Sequence, residues 1–264
     1  MKTHASDLTI AYDDVGTGAP VVLMHAFPAN RRQWGPQLPA LSSICRCLAP
    51  DFRGFGESDA RGAGSVDDYA DDIARLLDAL SLERAVIGGV SLGGYVTFAF
   101  WRRHPSRVRA LILSDTRARS DTERDMARRR ELIALARASG PVAIADRMIE
   151  GLIGKTTRRR QPELVRSVHR MLSTATVDGI VGALHAMMHR PDATADLAAI
   201  TVPTLIVVGD EDVATPVRDA QVMHSGIRES RLAIIPNAGH LSNVERPAAF
   251  NALVSEFLST LPEP

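Results

Sequence analysis

Short runs of apolar, largely β-branched residues recur along the chain with helical stretches between them. This alternation limits the possible folds more than any other feature. The runs are VVLMH at 21–25, AVIGGV at 85–90, RALILSD at 109–115, TLIVVG at 204–209 and RLAIIP at 231–236. Continuous apolar runs of this length read as parallel strands buried on both faces. Between them, VDDYADDIARLLDAL at 66–80 sets Tyr69, Ile73, Leu76, Leu77 and Leu80 on one stripe behind acidic first-turn residues, the pattern of an amphipathic helix. Strands and helices alternating in this way predict an α/β chain with a mostly parallel, doubly wound sheet. The segment LTIAYDDVGTG at 8–18 leaves through a Gly-rich turn and predicts an antiparallel edge strand.

The rhythm stops between about Ser120 and Asp196, where helical patterns follow one another without a strand. This predicts a helical cap at 120–196 inserted into a core formed by 1–119 and 197–264. Gly140-Pro141, Gly151, Gly154, Pro162 and Pro191 would divide it into several short helices. The dense arginines at Arg128–Arg130 and Arg158–Arg160 read as solvated helix faces. With 31 Lys+Arg against 31 Asp+Glu, the chain lacks the net field that draws proteins to nucleic acid or an anionic membrane, so the expected partner is a small molecule. Oligomeric state leaves no mark in the sequence. The first residues carry no apolar run like the core of a signal peptide, and only two cysteines occur, so a cytoplasmic location is expected. Those two, Cys45 and Cys47, sit two apart on an apparent strand without the geometry for an easy mutual disulfide. Two thiols also fall short of the four ligands of a structural zinc, and neither a metal nor any other cofactor is expected.

Chemistry concentrates in Gly89-Val90-Ser91-Leu92-Gly93, which follows an apolar strand directly and precedes a helical stretch. A serine on so sharp a strand-to-helix turn sits in a strained backbone, and the flanking glycines keep side chains from clashing around it. The turn also aims the amides of the following helix at the place where a substrate carbonyl would gain negative charge, so Leu92 N–H is an oxyanion donor candidate. A serine hydroxyl needs a base, and the base needs an orienting acid. Among eight histidines, His240 lies in Pro236-Asn237-Ala238-Gly239-His240, directly after the last strand run, where α/β proteins gather reactive groups. His185 and His189 share a helical spacing but lack the Glu of an H-E-x-x-H site, and His104 reads as a helix C-terminal partner. For the acid, Asp210, Glu211 and Asp212 follow the run at 204–209 ahead of Pro216, which would open the next helix; Asp115 is a reserve. The order Ser, acid, His fits successive strand ends.

Over nearly its whole length the chain resembles the α/β-hydrolase superfamily. His25-Ala26-Phe27-Pro28 resembles the family's H-G-F-P turn, which implies Phe27 N–H as a second oxyanion donor beside Leu92; Ala26 replaces the usual glycine, which would matter if that residue needed positive φ. Asp51-Phe52-Arg53-Gly54-Phe55-Gly56-Glu57-Ser58 resembles the D-x-R-G-x-G-x-S stretch, read as structural. The resemblance of Gly209-Asp210-Glu211-Asp212 with Thr215-Pro216 to the family's acid loop puts the triad acid on Asp212, and Ala238-Gly239-His240 resembles its histidine turn. The elbow and acid loop are most similar to 3-oxoadipate enol-lactonases and small bacterial esterases. The resemblance implies a Ser91-His240-Asp212 hydrolase acting on a carboxylic ester or lactone through an acyl-enzyme. Hydrolysis of 3-oxoadipate enol-lactone specifically, or use of the same acyl-enzyme by a perhydrolase or acyltransferase, is an alternative, and a receptor-like binding protein on this fold is the non-enzymatic one. Gly154-Lys155-Thr156 imitates the end of a phosphate-binding loop, but Ile149 stands where its first glycine belongs and no strand precedes it.

Overall fold

The computed structural model describes residues 1–5 and 8–262. Strands form where the apolar runs lie: β3 (Pro20–Met24), β5 (Ala85–Val90), β6 (Val108–Ser114), β7 (Thr204–Gly209) and β8 (Ser230–Ile235). β1 (Lys2–Ala5), β2 (Leu8–Val15) and β4 (Arg46–Pro50) complete one eight-stranded sheet in the order β1-β2-β4-β3-β5-β6-β7-β8. From β4 to β8 all neighbours run parallel; β2 pairs antiparallel with β4, and β1 antiparallel with β2. The antiparallel segment expected at the edge is therefore one strand in from it, because Lys2–Ala5 adds a further strand outside. Burial differs sharply between strands. β5 and β7 are buried at every residue, whereas β8, expected as a buried strand, closes the other edge and buries only Ile235.

Successive residues of β3 feed opposite cores. Val22 and Met24 join one apolar cluster with Tyr69, Ile73 and Val96, and Val21 and Leu23 join the other with Trp34, Phe250 and Val254. Alternation of side chains across a strand is what lets helices cover both faces of the sheet. α1 (Leu38–Leu41) precedes β4. α2 (Val66–Ala79) begins at a reciprocal cap in which Ser65 Oγ accepts from Asp68 N and the Asp68 carboxylate accepts from Ser65 N. α3 (Leu92–Arg103) leaves β5 directly.

Between β6 and β7 the chain forms only helices: α4 (Glu123–Leu152), α5 (Lys155–Arg160), α6 (Pro162–Leu172) and α7 (Val177–Met188), with a single 3-10 turn before β7. Gly140-Pro141 separates two helices as expected, at a kink within the α4 span. Gly140 takes φ 77°, a value open to glycine, and Pro141 opens the second half. Arg158–Arg160 are exposed as expected, but Arg129 turns inward to Asp121. α8 (Val217–Gly226) follows Pro216, and α9 (Ser242–Glu245) and α10 (Pro247–Ser259) end the described chain. The thiols of Cys45 and Cys47 are both buried and share a hydrogen bond at 3.3 Å without forming a disulfide; Cys45 sits just before β4 rather than on it. Among the described residues no single helix is long and apolar enough to cross a membrane.

Candidate active site

The parallel strands point their C-terminal ends to one edge, and the chain turns sharply there after β5. Ser91, between Val90 and the first residue of α3, has φ 55° and ψ −109°, a conformation costly for any side-chain-bearing residue. The neighbours explain how it persists. An ideal Cβ at position 89 would lie 2.5 Å from the Gly93 backbone, and one at 93 would collide with the Met24 carbonyl oxygen of β3. Only glycine lets strand and helix approach this closely. Ser91 N donates to Ser114 O at 3.1 Å, and Thr116 Oγ1 donates to Ser91 O at 2.9 Å, so β6 fixes the turn from the side. Ser91 itself is half-buried.

Two strands further along the edge, β7 ends at Gly209 and Asp212 turns inward to 5% exposure. Its two oxygens receive four hydrogen bonds. Oδ1 accepts from Ala214 N at 2.8 Å and Thr215 N at 3.0 Å, and Oδ2 accepts from Thr215 Oγ1 at 2.7 Å and from His240 Nδ1 at 2.8 Å. Four donors on one carboxylate favour its ionised form. Burial acts against that charge, but the His240 charge and the Thr215 bonds outweigh it and hold the Asp212 pKa below the usual range. His240, 2% exposed, follows β8. Burial disfavours its cation, yet the charge of Asp212 and the hydrogen bond to it raise its pKa on balance. Because Asp212 can only accept, Nδ1 carries the proton and Nε2 is left as the basic nitrogen. The hydrogen bonds of the ring are those of Nδ1; none joins it to the Ser91 hydroxyl among the described residues.

Asp115, the reserve acid, is engaged elsewhere. Oδ1 accepts from Gly209 N at 2.8 Å, and Oδ2 accepts from Ser242 Oγ at 2.5 Å and Ser242 N at 3.3 Å. Complete burial, with the Asp212 charge nearby, pushes its pKa well above the carboxylate range. It therefore braces β7 against the start of α9 and leaves the imidazole to Asp212.

The turn bearing Phe27 is built from a buried, neutral histidine. His25 Nδ1–H donates to Ala26 O at 2.9 Å while Nε2 accepts from Phe52 N at 3.1 Å, and burial lowers its pKa. Ala26 lies outside the left-handed region, so the missing glycine costs no strain. Ala26 N donates to Gln33 Oε1 at 2.9 Å, Gln33 Nε2 donates to Asn243 Oδ1 at 3.2 Å, and Gln37 Nε2 donates to Asn243 O at 3.0 Å. These amides tie the Phe27 turn to the histidine turn, and nothing in the local sequence marks them. Among the described residues, neither Phe27 N–H nor Leu92 N–H is taken up by a protein acceptor.

The other candidates resolve simply. Asp51 accepts from Arg31 N at 2.7 Å and Glu57 N at 2.9 Å, a structural role. The rings of His185 and His189 stack 6.2 Å apart, and no metal-holding cluster of three or more such ligands occurs among the described residues. His104 caps α3 and contacts Asp71 through Nε2 at 2.9 Å.

Comparison with known proteins identifies the family. Residues 19–247 match the family described as alpha/beta hydrolase fold. The chain is 27% identical to 3-oxoadipate enol-lactonase 1 of Acinetobacter baylyi, covering 91% of this chain and 89% of that protein. A solved thermophilic esterase from Thermogutta terrifontis superposes with a TM-score of 0.93 at 38% identity, covering 96% of this chain and 93% of the other. The enol-lactonase of Burkholderia xenovorans superposes with a TM-score of 0.91 at 26% identity, covering 98% and 100%. A strained serine between β5 and α3, a parallel sheet, and a match across most of the chain lead to one conclusion: this protein belongs to the α/β-hydrolase fold family.

Proposed function

We propose that this protein hydrolyses a carboxylic ester or lactone, with Ser91 as nucleophile, His240 as base and Asp212 as the acid that orients the imidazole. The observation that carries the reading is the buried Asp212–His240 bond at 2.8 Å on the same sheet edge as the strained Ser91 turn. Asp212 keeps the proton on Nδ1, so Nε2 is the nitrogen free to take the Ser91 proton. The serine oxygen attacks the carbonyl carbon, and His240 returns the proton to the leaving oxygen. A water activated by the same imidazole then cleaves the acyl-enzyme. The bond between hydroxyl and imidazole forms when substrate arrives, as catalytic hydrogen bonds commonly tighten only in the Michaelis complex. Phe27 and Leu92 amides hold the developing oxyanion, each worth roughly 3 kcal/mol of barrier.

Similarity to esterases and enol-lactonases supports both linear esters and lactones as substrates, with water as the acceptor. The partner is a small molecule, and a cytoplasmic location fits it. Ser91→Ala should reduce turnover of p-nitrophenyl acetate by about 10⁴-fold or more while leaving the thermal unfolding midpoint near that of the parent. Retention of the parent rate would refute the assignment.

A further inference from the structure

Residues 152–157 run from the end of α4 into α5 and reach both loops that carry the acid–base pair. His240 N donates to Leu152 O at 3.1 Å, so the backbone of the base itself rests on the helical insert. Glu245, 2% exposed, bridges the same two segments: Oε1 accepts from Gly239 N at 2.9 Å and Oε2 from Gly154 N at 3.0 Å. Glu211, next to Asp212, accepts from Thr156 N at 2.8 Å and from Thr156 Oγ1 at 2.5 Å. The two loops are also joined directly, since Glu211 N donates to Ala238 O at 2.8 Å. An ideal Cβ at position 154 would lie 2.7 Å from Gly239 N and 2.7 Å from Glu211 Oε2, so glycine is needed for the contact. The Gly154-Lys155-Thr156 stretch, which imitates a phosphate loop in sequence, thus has the amides of Gly154 and Thr156 filled by the protein's own carboxylates.

We propose that Glu211 and Glu245 are positioning residues that clamp residues 154–156 onto the acid loop and the histidine turn, so that the helical insert sets where the His240 imidazole sits. The proposal rests on the Ser91-His240-Asp212 reading. The Glu245 carboxylate accepts from two backbone segments and the Glu211 carboxylate ties its own loop to Thr156, through bonds that hold position more firmly when charge-assisted than when neutral. Glu245→Gln turns an NH2 group toward a backbone N–H, replacing an attraction by a donor–donor conflict, whereas in Glu211→Gln the Thr156 hydroxyl can rotate to accept from the NH2 and only the charge is lost. Loosening the clamp displaces the imidazole without removing any group that touches substrate, so the loss belongs in kcat rather than in binding.

The test compares Glu245→Gln, Glu211→Gln, Thr156→Val and Thr156→Ser in the full-length chain by steady-state hydrolysis of p-nitrophenyl acetate and by thermal unfolding. Glu245→Gln should lose about ten- to a hundredfold in kcat and Glu211→Gln, which loses only the charge, about three- to tenfold, each with KM within about twofold of the parent and the protein folded at the assay temperature. Thr156→Val should lose about tenfold and Thr156→Ser, which keeps the hydroxyl, should run at the parent rate. Combining Glu211→Gln with Thr156→Val should cost no more than the larger single loss, as expected for partners in one contact. Parent-like kcat in the folded glutamine variants overturns the inference, as does a loss confined to KM or one that tracks the unfolded fraction. Should the glutamine variants fail to fold, the Thr156 pair decides: equal rates for valine and serine overturn it. An inactive Ser91→Ala beside fully active clamp variants refutes this inference alone, whereas an active Ser91→Ala refutes the reading beneath it.

Discussion

At the strand ends around Ser91 the backbone approaches itself so closely that a single added carbon at position 89 or 93 has no room. At the root of the helical insert, around Asp121, the chain is held by long side chains instead. The Asp121 carboxylate, with no exposed side-chain surface, accepts from Arg117 Nη2 at 2.8 Å, from Arg190 Nη1 at 2.6 Å and from Arg129. The Arg190 guanidinium also lies 4.0 Å from the centre of the Tyr95 ring of α3, joining insert to core by charge over an aromatic face. The first region is fixed by shape, where a shift of tenths of an ångström is a collision. The second is fixed by charge, where flexible side chains follow a moving partner. The serine proposed here as nucleophile would have to attack along one direction, and it is placed by the first kind of contact. A helical layer over a sheet needs only the second.

The contrast predicts where substitutions are felt. Removing Asp121 leaves three guanidiniums sharing a partly buried space without their common acceptor, and Asp121→Ala should cost about 3 kcal/mol in chemical denaturation. The effect is pH-dependent, and Asp121→Asn isolates it. Burial alone would raise the Asp121 pKa, but the bonds and charges of Arg129 and Arg190 outweigh it and hold the carboxyl well below the usual carboxylate range. A depressed native pKa contributes stability that is fully present above the unfolded value of about 3.9 and is lost as pH falls through the native one. The stability gap between parent and Asp121→Asn should therefore be constant near neutrality and narrow below about pH 4. A gap that widens in acid would show that the carboxylate is not stabilised by its guanidiniums.

Gly93→Ala tests the other region. Its Cβ would meet the backbone of β3, which cannot rotate away, so a cost of about 2 kcal/mol is expected together with a loss of activity larger than the stability change explains. Full activity would mean that the turn has slack the shape argument denies it. The smallest effect belongs to charge pairs with neither shape nor burial behind them. Arg166 and Glu163, three residues apart on α6 and exposed at 56% and 83% of their side-chain surface, pair in water. Glu163→Ala should leave the thermal midpoint where it was; a clear drop would show that exposed pairs carry weight in the insert.

Legibility in the sequence followed the same division. The apolar runs of β3, β5, β6 and β7 and the glycines around Ser91 were readable because their cause is local: period, burial and backbone freedom act within a few residues. β1 leaves no such mark, because Lys2–Ala5 pairs through its backbone with no apolar pattern to announce it. The apolar run of β8 marks a strand but not its exposure, since such a run does not say whether a neighbour covers it. The long-range polar contacts were invisible. Gln33 and Asn243 are 210 positions apart, and Asp121 and Arg190 are 69 apart, so no spacing rule links them. The arginine runs that stood out are mostly solvated, whereas the buried guanidiniums of Arg117 and Arg190 come from unremarkable positions. Asp212 was distinguished from Asp210 and Glu211 by family resemblance alone. Its distinguishing physics, four donors converging on one carboxylate, exists only after folding.

The central claim is that the Ser91 hydroxyl is made nucleophilic by His240. Reaction with a fluorophosphonate probe, followed by mass spectrometry of the modified peptide, reads this directly without knowledge of the natural substrate. The account predicts one probe per chain, bonded to Ser91, with the labelling rate falling at least a hundredfold in His240→Ala. Modification at another residue, or an unchanged rate at Ser91 in His240→Ala, would contradict it.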